Sequence, residues 1–124
     1  MNKTMNKTDA ATVAVVAARA ADDKQGSNII VLDVGDILAI TEMFVVVSAS
    51  NSRQLRTIAN EITAKIREES ARPLLRSEGM AEQQWVLLDY GDVIVHIFSE
   101  DIREFYEIER LYQDVPVVDW QAIA

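Results

Sequence analysis

Apolar and polar positions divide the chain into eight segments. From Thr8 an apolar stripe at Val13, Val16, Ala17 and Ala20 recurs with helical period, and Gly26-Ser27 punctuates its end. Thr8 is placed to cap this helix, with Asp9 at its positive end. Residues 28–34 (NIIVLDV) form a nearly unbroken β-branched run, the pattern of a strand buried on both faces. An irregular link over 35–42 leads to a second apolar strand at 43–47. Asn51 opens the clearest helix. Gln54 completes a capping-box arrangement, and Leu55, Ile58, Ala59, Ile62 and Ile66 share one stripe. Arg72-Pro73 closes that region, because the residue before proline disfavours helical dihedrals.

Downstream, 74–78 reads as a short strand turned by Gly79. Two further strands, 84–89 (QWVLLD) and 92–98 (DVIVHIF), are joined by Tyr90-Gly91 at hairpin spacing. Asp101 with Glu104 three residues on predicts the start of a last helix, and Pro116 ends it. Its apolar surface comes from Ile102, Phe105, Tyr106 and Tyr112, and helix stripes of this kind usually face the core. The order α-β-β-α-β-β-β-α predicts an α/β layer fold, a mixed five-stranded sheet flanked by helices. A single domain is expected over 9–117. The duplicated tetrapeptide MNKT-MNKT reads as an N-terminal tail over 1–8, and 118–124 as a short C-terminal tail.

Composition narrows the classes. A chain of 124 residues, 49% hydrophobic, is one domain's worth and sustains a core without staples. Zero cysteines exclude disulfides, thiolate metal sites and cysteine nucleophiles. No apolar run approaches the roughly 18–20 residues of a membrane span. The polar start resembles no secretory signal, so a cytoplasmic protein is expected. With 20 acids against 12 bases, net −8, the chain lacks the basic footprint of phosphate-backbone binding, and no direct DNA binding is expected. Half of that charge lies in 99–114, where six acids face two bases; 52–72 is mildly basic. Most of these side chains fit solvated helix faces, and a ribonucleoprotein partner would be met through a basic protein.

Candidate chemistry is sparse. His96, the only histidine, sits mid-strand on the face of Ile94 and Phe98, where a structural or interface role fits better than catalysis. Asp33, Asp36, Asp89 and Asp92 stand near strand ends. Such carboxylates serve two-metal phosphoryl chemistry, but ordinary turns favour them too, and the turn reading fits these positions better. The 48–52 turn opens a helix but has neither the glycines nor the lysine of a phosphate-binding loop. Trp85 shares a strand face with Leu87 and Asp89, and is either a partner-contact anchor or an aromatic at the edge of the core.

From Gln84 the string WVLLDYGDVIVHIFSEDIREFYEIERLYQD closely resembles the signature of the ribosomal silencing factor, or Iojap, family. The matching pieces are Glu78-Gly79 before a Trp85-led strand, the Gly91-Asp92 turn, the 93–96 strand ending in His96, and a helix from Arg103 through Tyr106 to Leu111. Upstream, 30–34, 41–46 and Ser52-Arg53-Gln54 match in the same order, so the resemblance spans about residues 10–117. Glu42, Ala49 and Tyr112 depart from the family's usual Asp, Gly and Trp.

The resemblance implies a nucleotidyltransferase-like fold without its catalysis. After Ser50 the chain reads Asn51-Ser52-Arg53-Gln54-Leu55-Arg56, lacking the acidic pair such enzymes place there. It implies a non-enzymatic protein, with no cofactor or metal, that binds ribosomal protein L-fourteen on the large subunit. Bound there it would block subunit joining and repress translation under nutrient limitation, and it would self-associate as a homodimer when free. The implied contact residues are Trp85, Leu87, Asp89, Tyr90, Asp92, His96, Arg103 and Tyr106. Trp85 would be the anchor, and Asp89 and Asp92 would meet basic partner residues. A Mg-dependent nucleotidyl- or phosphoryl-transfer enzyme using the four aspartates, and a large-subunit assembly factor, are the alternatives.

Overall fold

The computed structural model describes residues 2–122, with side chains from Ala10 onward. Its elements are α1 (Asn2–Asp23), β1 (Ser27–Asp33), β2 (Met43–Ala49), α2 (Ser52–Ser70), β3 (Arg76–Glu78), β4 (Trp85–Asp89), β5 (Val93–Ser99), α3 (Glu100–Tyr106), α4 (Ile108–Leu111) and β6 (Val117–Val118). The sheet order is β3-β4-β5-β2-β1-β6. Only the central β2–β5 pair is parallel; the other four pairings are antiparallel. The layer order follows the expectation, and the sheet is larger by one strand.

That sixth strand takes in Val118 of the expected C-terminal tail. Val117 and Val118 pair with Leu32 and Val31, and Trp120 packs on the core with its indole N–H donating to the Ile29 carbonyl at 3.3 Å. Two residues beyond a proline are too short to show strand periodicity, so local pattern reads them as tail. At the other end α1 is recorded from Asn2, so Thr8 lies inside the helix rather than at its cap. Met1 of the expected tail lies outside the described residues.

One face of the sheet carries the main core. Val31, Val45, Val47, Val86, Leu88, Val95 and Ile97 meet α1 and the α2 stripe, whose five predicted members are all buried. Ala14, Ala17, Ala18 and Ala21 let α1 approach closely. Gly26 is needed for space, since a Cβ there would lie 2.6 Å from Val47 Cγ2. The left-handed turn that ends α1 falls on Gln25 instead (φ 66). Gln54 fastens the two helices. Its backbone N–H donates to Asn51 Oδ1 at 2.7 Å, and its side-chain amide donates to the Lys24 and Gln25 carbonyls at 3.1 and 2.9 Å.

Gly79 does both jobs at the sheet edge. It adopts φ 86, and a Cβ would stand 2.0 Å from the Trp85 carbonyl oxygen. Gly79→Ala is expected to detach β3, an exposed three-residue edge strand, and to lower stability by about 2 kcal/mol. Amide hydrogen exchange over 76–78 checks this: unchanged protection there would contradict it.

Candidate partner-binding face

The second sheet face is only partly covered. Leu32 and Phe44 pack with Val115 and Tyr112, and Val46 and Phe98 pack with Ile108 and Ile102. Ser99, not Asp101, caps the last helix, its hydroxyl accepting from the Ile102 N–H at 3.3 Å. The expected single helix breaks at Glu107, which takes a left-handed conformation (φ 48), so α4 turns back over the sheet.

Trp85 sits at the edge of the core on this face. Half-buried, it packs against Phe98 and Tyr106 at ring separations of 4.7 and 5.0 Å, and its indole N–H donates to His96 Nδ1 at 3.2 Å. An indole nitrogen only donates, so His96 is neutral with its proton on Nε2. His96 is 5% exposed, faces Phe44 edge-on at 4.8 Å, and its Nε2 has no partner among the described residues. Burial pushes its pKa down to about 4. The Trp85 N–H aimed at Nδ1 opposes a second proton as well.

Tyr106 is 52% and Phe105 77% exposed, their rings 5.0 Å apart edge-to-face. Both rings therefore stand at the surface, where a helical apolar stripe would ordinarily face the core. The signal was present: consecutive residues point about 100° apart on a helix, and Phe105 follows Asp101 by one turn on the acidic side. Leu87 lies beside this group, half-buried opposite His96.

Other singled-out residues have inward tasks. Arg103, buried, donates through Nη1 to Ser48 Oγ at 2.9 Å and through Nε and Nη2 to Glu109 Oε2 at 3.0 and 2.8 Å, tying α3 to β2 and α4. Burial raises the Glu109 pKa, but the Arg103 hydrogen bonds and charge outweigh it and hold the carboxyl below its ordinary value. Tyr90 lies on the opposite, helix-covered face in the main core. Asp89 accepts from the Gly91 N–H at 2.8 Å and pairs with Arg76 at 3.3 Å; Asp92 pairs with Arg72 at 2.6 Å. Both carboxylates expected to meet basic partner residues thus already have arginines of this chain. Asp33 accepts from the Gly35 N–H at 3.2 Å in its own turn. Among the described residues, no three His, Cys, Asp or Glu side chains converge as a metal ion would require. No described helix is long and apolar enough to cross a membrane.

The family model described as "Ribosomal silencing factor during starvation" matches residues 7–124. The Ribosomal silencing factor RsfS of Bacillus subtilis is 36% identical over 104 residues, covering 84% of this chain and 87% of that protein. That of Halalkalibacterium halodurans is 33% identical over 108 residues, covering 87% and 92%. The crystal structure of a Chromobacterium violaceum protein superposes with a TM-score of 0.79 at 31% identity, covering 82% of this chain and 84% of that one.

Proposed function

The chain belongs to the ribosomal silencing factor family, and on that premise we propose that it binds ribosomal protein L-fourteen on the large ribosomal subunit. Seated there it keeps the small subunit from joining and represses translation when nutrients are limiting. The family is one of non-enzymatic ribosome regulators, so the protein acts by occupying a surface.

The observation that supports a place for this contact is the exposed Phe105–Tyr106 pair. It rests on Trp85, with Leu87 alongside and Glu100, Asp101 and Glu104 on the same short helix. Exposed aromatics over a packed platform are what interface anchors require, and the acidic rim steers a basic ribosomal protein toward them. Trp85 and His96 form the platform, Arg103 positions α3, and the Asp89–Arg76 and Asp92–Arg72 pairs shape the neighbouring hairpin. The free protein, in the cytoplasm, covers the same aromatics by forming a homodimer.

Sedimentation of separated subunits with the purified protein tests this. Wild type is expected to travel with the large subunit and to hold the subunits apart. Phe105→Ala, a change at an exposed ring, is expected to fold normally and bind about tenfold more weakly. Equal binding by Phe105→Ala would remove this face from the interface. Failure of the wild type to bind or to block joining would remove the silencing role.

A further inference from the structure

On the sheet face opposite those aromatics, a groove of about 500 Å³ runs along the side of α2. Asn60, Thr63 and Arg67 form one wall, Leu88 and Met80 the apolar floor, and Pro73 and Leu74 the lip. The volume falls within the range of small-molecule sites, and the lining has their character: an apolar floor with few convergent polar groups.

Two polar side chains of its lining bear on what it could hold. Tyr90 is 4% exposed and lines the groove, and among the described residues its hydroxyl has no hydrogen-bond partner. Arg67 forms no ion pair among the described residues, unlike the neighbouring Arg72, which is held by Asp92. Arg67 is near enough for its charge to pull down the Tyr90 pKa, although burial raises it on balance. A tyrosine hydroxyl that opens into the groove and an exposed guanidinium beside an apolar floor suit one ligand chemistry: an anionic head on a compact apolar body.

We propose that this groove binds a small amphipathic carboxylic acid. The carboxylate sits between the Arg67 guanidinium and the Tyr90 hydroxyl, and the hydrocarbon part lies on Leu88 and Met80. The hydroxyl donates one hydrogen bond, and the guanidinium supplies the countercharge and the others. Because Tyr90 opens the β4–β5 turn, its N–H donating to the Val93 carbonyl at 2.9 Å, an occupant would also brace that hairpin. The site lies on the opposite sheet face from the aromatic pair and does not depend on the ribosomal reading.

The test is an amide-resolved NMR titration of the whole chain with 3-phenylpropanoate, 4-methylpentanoate and octanoate, each paired with its uncharged amide. Saturable shifts are expected at Asn60, Thr63, Ser77 and Leu88 for at least one acid at millimolar concentration, its amide binding about tenfold more weakly. Arg67→Gln, at an exposed position, is expected to abolish the preference for acid over amide. Tyr90→Phe, which keeps the buried ring, is expected to weaken the acid several-fold. Absence of saturable shifts with all three acids, equal binding of acid and amide, or unchanged selectivity in Arg67→Gln would each overturn the proposal.

Discussion

Replacing Trp85 with alanine is expected to lower the unfolding free energy by about 3–4 kcal/mol, the range for removing a large aromatic from packed surroundings. The ring packs against Phe98 and Tyr106, and its N–H supplies the single hydrogen bond of the His96 imidazole among the described residues. Truncation therefore opens a cavity on the second sheet face and leaves a buried imidazole with both nitrogens unpaired. Trp85→Phe separates the two contributions. It retains most of the apolar contact and deletes the donor, so about 1–2 kcal/mol should be lost. Urea unfolding of both variants checks this; a loss below 1 kcal/mol for Trp85→Ala would show that the ring is not holding the cluster. The consequence for function is practical. Lost ribosome binding in Trp85→Ala would not distinguish a missing contact from a damaged platform, whereas Phe105→Ala would.

His96 is expected to make the protein acid-labile. Its folded pKa of about 4 lies below the ordinary 6.5, so below pH 6.5 the unfolded chain takes up a proton that the folded chain resists. Its contribution to stability is thus present above pH 6.5, declines as pH falls, and is gone below about pH 4. A shift of this size corresponds to about 3 kcal/mol. Carboxylates titrate in the same window, so the comparison is with His96→Gln, which cannot titrate. The stability difference between wild type and variant should move by about 3 kcal/mol in the variant's favour between neutral pH and about pH 4. A difference independent of pH would mean that the imidazole is not held neutral by burial. The imidazole NMR signal gives a second reading, with an expected midpoint near pH 4.

These two residues show where sequence reading reaches and where it stops. His96 was placed correctly on the face of Ile94 and Phe98 by strand alternation alone, because side chains of an extended strand alternate regardless of context. That its Nδ1 would receive the Trp85 N–H depended on the register of β4 against β5, which sets Leu87 opposite His96 and Trp85 one pleat away. The α2 stripe was legible because five buried residues repeat at helical spacing over nineteen positions. The last helix was not, because seven residues carry too little period to separate a core stripe from an exposed pair of aromatics. Asp89 and Asp92 appear in the sequence as free acids of a hairpin; their arginines, Arg76 and Arg72, belong to the segment before β4 and meet them only once β3 pairs with β4.

Local pattern by itself determined the layer class, the order of the eight main elements and the N-cap and buried stripe of α2, and the matched strings marked the family. Hydrophobic periodicity and capping are short-range properties written into consecutive residues. Tertiary structure alone decided the sixth strand, the exposure of Phe105 and Tyr106, the burial of Arg103 on Ser48, and the unpaired Tyr90 hydroxyl beside Arg67. Each depends on which groups from distant parts of the chain are brought within contact distance, and no local spacing encodes that.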